Sequence, residues 1–595
     1  MLRNLFSVSV KPLIGLALLT PIIVNHSPAV AQEQSLKVVY PRTNHKTSSD
    51  KIFFIGTAPR TGQVFINGQS ITRSQAGHFA PSFPLKLGEN KFTIRHGNQK
   101  IEIVVTRVAT EPKIPQGLAF AVNSLTPAVD IVRMPDDRIC FSAIAPPDGK
   151  VSVRLGYRNI RLYPQPQQAK LPSNLAALTG TNQPYNKQMA GKYAGCTVIK
   201  RSGNFGQPIY KLDLQGKKYT QRAPGKISIL SPANLQVVEV TADAGVARTG
   251  PNTNYSRLTP LPKGTRAAIT GSEGEWLRLD YGAWINGKET QILNGAIPPA
   301  TVIRSVGSRK FSDATQITFP LQVPVPISVH KGDRTFSLTL HNTTAQTDII
   351  RLDDNPFISR LDWQQITPSQ VRYTFNLKSE QQWGHTLSYE GTSLVLKLRH
   401  APRISRRRRN PLSGIKILLD PGHGGKESGA VGPTGYPEKD VNLSVSKLLR
   451  DALVRRGATV VMTREDDRDV SLRERQKIIA REEPALALSV HYNALPDYGD
   501  AENTSGIGIF WYHPQAHSSA IFLHNYLVKK LNRPSYGVFW NNLALTRPAE
   551  APSLLLELGF MSNPSEFEWV VNPKSQQQLA NTLADGIVEW FKTMR

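Results

Sequence analysis

Cysteine is scarce in this chain: two residues in 595, Cys140 and Cys196. One bridge is the most they can form, which excludes a disulfide-dense scaffold. The alternatives are a single structural disulfide in an oxidising compartment or a pair of buried free thiols. Long apolar runs are also missing. The one candidate, Leu13 to Val24, falls short of the ~20 residues a membrane-spanning helix needs, and no later stretch is both long and free of charge. Acidic residues are in deficit, 45 Asp and Glu against 72 Lys and Arg, for a formal net charge of +27. A field of that sign draws polyanions.

What is present at the start is Arg3 and Lys11, the short apolar run, then Ala29-Val30-Ala31. These are the n-region, h-region and small-residue cleavage site of a secretory signal over residues 1–31. A mature chain from Gln32 is expected in the periplasm or cell wall, with no stable membrane span; uncleaved, the segment becomes an N-terminal anchor. The charge is unevenly placed. Residues 411–595 hold 20 Lys and Arg against 21 Asp and Glu, so the basic excess belongs to the upstream region. The polyanions such a secreted chain meets are wall carboxylates, phosphate-bearing wall polymers and anionic lipid head groups; a nucleic-acid partner is not expected.

The length suggests about four domains, and the patterning divides accordingly into a multidomain chain: all-β modules first, then an α/β domain. Over 37–107, runs such as Gln63-Val64-Phe65-Ile66-Asn67-Gly68 alternate apolar and polar residues between turn signals, which predicts a β-sandwich. The stretch resembles small immunoglobulin-like modules of bacterial surface enzymes. A second β-rich region, 111–226, holds both cysteines and a Pro/Asn/Gln-rich middle that reads as a long loop. Over 236–293, Ala247-Arg248-Thr249-Gly250-Pro251-Asn252, Glu275-Trp276-Leu277 and Gly282-Ala283-Trp284-Ile285 resemble the bacterial SH3-like wall-binding domain, which implies a small barrel that grips peptidoglycan. A spacer barrel without a ligand is the alternative, and Trp276 and Trp284 suit a core as well as a binding platform. Residues 312–400 alternate again and distantly resemble AMIN modules. A basic linker, 401–413, follows with Arg406 to Arg409, a block of like charge that stays solvated.

From Gly414 to the end, 414–595, strands alternate with helices. Ile415 to Leu419 leads into Asp420, and Val441, Val445, Leu448, Leu449 and Ala452 then recur with helical spacing. Ser471-x-x-Glu474 opens a second helix. Further strands over Ala458 to Met462, Leu486 to Val490, Gly508 to Trp511 and Ser553 to Leu556 make this an α/β domain around a mostly parallel sheet.

Ligands of such sheets gather beyond the carboxyl ends of the strands. Strand counting brings His423, His491 and Glu557 to one rim, and Glu438 can reach it through the glycine-rich loop Gly424 to Gly435. A catalytic zinc keeps three His, Glu or Asp ligands and leaves a position to water, which fits His423, Glu438 and His491; a base is then needed for that water, and Glu557 is the candidate. Each residue alone is ordinary. Asp440 reads as a helix N-terminal charge, and Glu427, His513 and His524 compete as ligands.

Four stretches together, Asp420-Pro421-Gly422-His423-Gly424-Gly425, Glu438-Lys439-Asp440-Val441-Asn442-Leu443, Ser489-Val490-His491-Tyr492-Asn493-Ala494 and Glu557-Leu558-Gly559-Phe560-Met561-Ser562-Asn563, resemble the zinc-dependent N-acetylmuramoyl-L-alanine amidases of the Amidase_3 family across residues 414–592. The resemblance implies Zn2+ bound by His423, Glu438 and His491, Glu557 as the catalytic glutamate, and peptidoglycan as substrate, cut between N-acetylmuramic acid and L-alanine. Departures occur at Glu427-Ser428-Gly429-Ala430, Ala480-Arg481 and Ala485, none of them an expected ligand. Some relatives carry a long inhibitory helix after the second histidine; Leu495 to Thr504 is too short for one. A zinc carboxypeptidase acting within the stem peptide, or a wall-binding scaffold with a relic domain, would share these features.

Overall fold

The computed structural model describes residues 35–109, 114–165, 168–170, 185–187, 191–352, 354–405 and 409–594. The signal expected over 1–31 and the linker arginines Arg406 to Arg408 lie outside them. Among the described residues no helix is long and apolar enough to cross a membrane.

Residues 35–400 are built almost wholly from strands, and 414–595 from alternating strands and helices. The upstream part has separate apolar clusters, one spanning Leu36 to Val105, one Phe120 to Ile229, one Val238 to Ile285 and one Ile303 to Leu398. Short strands with period-2 burial produce each cluster. In the hairpin Gly88–His96/Gln99–Arg107, Phe92, Ile94, Ile103 and Val105 turn inward while Lys91 and Lys100 face water. Sheets also cross between regions: Ile131–Arg133 pairs with Arg266–Glu273, and Thr301–Lys310 pairs with Ala314–Phe319 and Thr343–Ile350. Cys140 and Cys196 form a disulfide between directly opposed positions of adjacent antiparallel strands. Most of the middle read as a loop lies outside the described residues; within it Gln168–Lys170 and Tyr185–Lys187 pair as short strands.

The C-terminal domain runs β1 (Lys416–Pro421), α1 (Glu438–Val454), β2 (Thr459–Met462), α2 (Leu472–Glu482), β3 (Leu486–Asn493), β4 (Ile507–Trp511), α3 (His517–Leu531), β5 (Ser535–Trp540), β6 (Ser553–Phe560), α4 (Pro564–Val570) and α5 (Pro573–Thr593). Its six-stranded sheet has the order β2-β1-β3-β6-β4-β5. The strands β2, β1, β3 and β6 are parallel; β4 is antiparallel to β6 and parallel to β5. The apolar faces of α1, α3 and α5 close over one side, with Val441, Val445, Leu449, Leu523, Leu527, Leu583 and Ile587 in the largest core of the chain. Ser471 caps α2 by accepting from the Glu474 amide, as the sequence indicates. Strand β5 and helix α4 are additions to the sequence reading.

Two upstream modules hold this sheet by opposite rims. At the carboxyl ends of the parallel strands, the Asp497 carboxylate receives the Tyr40 hydroxyl and His45 Nε2, and Lys37 Nζ donates to the Thr434 carbonyl at 2.8 Å. Phe53, Ile55 and Ala80 pack there against Ala501 and Leu495. At the amino ends, Arg399 donates to the carbonyls of Glu483, Pro484 and Glu550, and Lys331 Nζ to Gln515 Oε1. Neither contact has a local signal in the sequence.

Candidate metal and catalytic site

Beyond β1 the chain turns sharply, and its conformation there is dictated by space. A Cβ on Gly422 would lie 2.2 Å from His491 Cε1, so only glycine lets the two histidines approach. His423 itself takes φ 59°, the left-handed region. That unusual backbone is held from below: Arg475 donates to the carbonyls of Pro421 and His423, at 2.7 and 2.6 Å, and Arg464 to those of Pro421 and Gly422. The charge of Arg475 is met by Asp420, which also accepts from Ser489 and Thr463 hydroxyls at 2.6 Å each. Both members of the pair are buried, so each needs the other.

Glu438 is the first residue of α1 and is buried, with both oxygens fully engaged. His423 Nε2 lies 3.1 Å from Oε2 and His491 Nδ1 3.0 Å from Oε1. The amides of Ala430 and Tyr492 and the Asn442 side chain donate to the same carboxylate. Here, too, a glycine is required, since a Cβ on Gly429 would fall 2.4 Å from Glu438 Oε2. The two imidazole rings stand nearly perpendicular with centroids 4.9 Å apart. One donor atom from each of His423, Glu438 and His491 lies within 4.8 Å of the others. Two imidazoles and a carboxylate at that spacing, on a rigid strand end and helix start, form a donor set that fits zinc.

Glu557 sits on β6 directly across from His491 on β3. Its side chain is buried, and Oε2 has no hydrogen-bond partner among the described residues. A buried polar atom left open in this way is a place for a group the protein does not supply. The electrostatics separate the two glutamates. Burial pushes Glu438 up, but the hydrogen bonds and charges of His423 and His491 outweigh it and hold the carboxylate well below the usual range. Burial, reinforced by the negative charge of Glu438, raises Glu557 well above its ordinary value. For His423, burial lowers the imidazole while Glu438 and Glu427 raise it more, and the net direction is upward.

The structure thus brings together His423, Glu438 and His491, with Glu557 on the neighbouring strand. The competing candidates stand apart from that trio. Exposed Glu427 approaches only the second nitrogen of His423, at 3.3 Å. His513 bonds the Arg547 carbonyl, and His524 bonds Ser535 and Asn525. Sequence reasoning missed the supporting layer of Asp420, Ser489, Arg464 and Arg475. An acid following the apolar run Ile417-Leu418-Leu419, as Asp420 does, demands a buried partner; nothing local to Arg475, 55 residues on, names it as that partner.

Fold and site define an α/β hydrolytic domain carrying one candidate metal centre. The family model for N-acetylmuramoyl-L-alanine amidase, Amidase_3, matches residues 417–589. The germination-specific N-acetylmuramoyl-L-alanine amidase of Bacillus subtilis is 36% identical over 198 residues, 30% of this chain and 81% of that protein. The probable cell wall amidase LytH of Staphylococcus aureus is 36% identical over 185 residues, 31% of this chain and 60% of that protein. Among solved structures, the catalytic domain of CwlV, an N-acetylmuramoyl-L-alanine amidase from Bacillus (Paenibacillus) polymyxa var. colistinus, is 28% identical, covering 30% of this chain and 98% of that one with a TM-score of 0.29. The chain belongs to the Amidase_3 family of N-acetylmuramoyl-L-alanine amidases.

Proposed function

We propose that this chain is a peptidoglycan hydrolase that cleaves the amide between N-acetylmuramic acid and the L-alanine of the stem peptide, with zinc held by His423, Glu438 and His491 and Glu557 as the base. The observation that carries the reading is the convergence of two imidazoles on one buried carboxylate, with a second, unpartnered carboxylate directly across the sheet. Zinc in such a site supplies Lewis acidity and makes water a nucleophile near neutral pH.

The protein's own groups do the rest. Ionised Glu557, made more basic by burial and by the charge of Glu438, accepts a proton from the attacking water through its open oxygen and returns it to the departing alanine nitrogen. Glu438 stays ionised, because its hydrogen bonds from His423 and His491 favour the charged form. The Arg475–Asp420 pair fixes the His423 turn and takes no part in proton transfer. The upstream modules, read as immunoglobulin-like, SH3-like and AMIN-like, would deliver the domain to the wall after secretion to the periplasm or cell wall.

The test is Glu557→Gln, with zinc content and release of peptide from purified wall measured together. Retained zinc with peptide release lower by about 10²-fold or more supports the assignment; full activity rejects it. Mass analysis of products separates the amidase, which leaves glycan free of peptide, from a carboxypeptidase, which leaves shortened peptide.

A further inference from the structure

Part of the upstream basic excess lies in residues 111–226, which hold 17 Lys and Arg against six Asp and Glu. Strand register shows where it goes. In the six-stranded sheet of this region, Val151, Val153, Leu155, Tyr210 and Leu212 face the core. The residues between them face out, and pairing lines them up in rows. Asn159, Arg154, Ile209 and Arg222 form one row; Arg161, Ser152, Lys211 and Thr220 the next; Lys150, Asp213 and Lys218 the last. All seven of the basic and amide side chains Arg154, Lys211, Arg222, Arg161, Lys150, Lys218 and Asn159 are exposed. Asp213 is the one acid in the three rows.

Among the described residues none of Arg154, Lys211 and Arg222 has an ion pair or a side-chain hydrogen bond, so the sheet leaves their donors unused. They border an open depression floored by Ile209, together with Asn159, Thr220 and Gln221. The same face is stapled further along by the Cys140–Cys196 disulfide, whose residues lie on the outward side with Arg138 and Ser142. A braced sheet carrying unpaired cations is a poor device for stability, since exposed like charges repel. It is a good one for an extended anion.

We infer that this outward face, centred on Arg154, Lys211 and Arg222, is a docking surface for a linear wall polymer carrying one phosphodiester per repeat. Spacing and chemistry select that partner. Arg154 and Arg222 are two strands apart, roughly 10 Å, and Lys211 lies between them one non-polar-facing residue along, roughly 7 Å in the strand direction. Duplex nucleic acid presents a phosphate every ~3.4 Å per strand, denser than these cations, and single-strand binders offer successive aromatic platforms, where among the described residues the strands of this face turn out one aromatic ring, Tyr163 under Arg161. A lipid surface is met by large apolar groups that insert, and Ile209 is half-buried in the floor. The arginine forks, with the Asn159 amide and the Thr220 hydroxyl, match the paired free oxygens of a phosphodiester, and Lys211 adds the point charge that phosphate also takes.

The inference rests on the reading of the chain as a wall enzyme, and its test is chosen to fail separately. The full chain and a variant with Arg154→Gln, Lys211→Gln and Arg222→Gln are sedimented with purified walls over a salt series, beside a control with Lys529→Gln, Lys530→Gln and Lys574→Gln that removes the same charge from the catalytic domain. The three sheet substitutions are expected to weaken wall binding at least tenfold at low salt and to flatten its salt dependence, while the control binds as the parent does. Hydrolysis of a soluble muramyl peptide, which reads the enzyme and not the surface, stays unchanged in both. Walls stripped of phosphate polymers are the second arm: binding by the parent is expected to fall to that of the sheet variant, and binding kept on stripped walls, which would point to the wall carboxylates, overturns the inference. Equal wall binding by the sheet variant and the parent, or a loss confined to anionic vesicles or to oligonucleotide, overturns the inference.

Discussion

Charge is handled in opposite ways by the upstream β region and the C-terminal α/β domain. Among the described residues the buried carboxylates are Asp420, Glu438, Glu557 and Glu566, all in the C-terminal domain. Upstream, basic side chains dominate and the ion pairs lie largely at the surface, such as Lys91–Glu89 and Lys288–Glu275. Burying a carboxylate costs several kcal/mol unless partners meet it, so it persists only where a structure needs the charge. Three of the four have that partner set: Arg475 and two hydroxyls for Asp420, two imidazoles for Glu438, and Arg533 with two amides for Glu566. Of these four, Glu557 alone keeps an open oxygen. The contrast separates charge used for internal geometry from charge offered to a partner.

The sharpest way to break the contrast is to remove one member of a buried pair. Arg475→Ala leaves Asp420 ionised in the interior and frees the His423 turn. A loss of about 3–5 kcal/mol is expected, read by denaturant unfolding of the full chain as a shift in the transition of the C-terminal domain, with zinc content falling alongside. A loss under 1 kcal/mol would mean that Asp420 is held by Ser489 and Thr463 alone.

At the rim, Asp497→Ala removes the acceptor of Tyr40 and His45 and so tests the contact between the first module and the loop after His491. Two hydrogen bonds at a net ~1 kcal/mol each give an expected loss of about 1–2 kcal/mol from docking. Protease cleavage within 494–504 should quicken while hydrolysis of a soluble substrate changes little. Unchanged proteolysis would show that Phe53, Ile55, Ala80 and Ala501 hold the contact without it.

Glu557→Gln should stabilise the metal-free protein at neutral pH, by on the order of 1 kcal/mol, even though the proposed role of Glu557 predicts a loss of activity. The sign follows from linkage. A carboxyl whose pKa is raised on folding binds its proton more tightly in the native state, so stability falls as pH rises from the unfolded value of ~4.3 towards the raised one. The amide escapes that penalty. The gain is expected at pH 7 and should vanish below pH 4, where wild-type Glu557 is protonated in both states; a gain that persists in acid would place its origin in packing.

The clustering of His423, Glu438 and His491 was legible because His423 follows an apolar strand between glycines, His491 follows the apolar-rich run Leu486 to Val490, and Glu438 stands at a helix start. Helix α1 could be read from Val441, Val445 and Leu449, whose spacing reports one buried face. What the sequence hid depends on partners distant in the chain. Strand β5 carries Gly537 in its middle and joins the sheet only through β4, whose reversed direction is a matter of topology and not of pattern. Helix α4 is seven residues long, too short for a period to show. Tyr40 and Asp497 are 457 positions apart, and no local signal couples them.

The smallest effect should come from the linker, and it decides whether upstream charge acts as a diffuse field or through a shaped surface. Substituting Arg406 to Arg409 with Gln removes four positive charges, one more than the sheet variant. If wall binding simply follows net charge, the linker variant should bind more weakly than the sheet variant. A block of like charge is expected from its sequence to stay solvated, and charges in water are screened within ~8 Å at 0.15 M salt. A less than twofold loss is therefore expected at that ionic strength, growing at low salt and remaining below the loss from Arg154, Lys211 and Arg222. A linker effect that does not change with salt would defeat the tether reading, because only a desolvated contact escapes screening, and a linker loss exceeding that of the sheet would assign the wall affinity to charge alone.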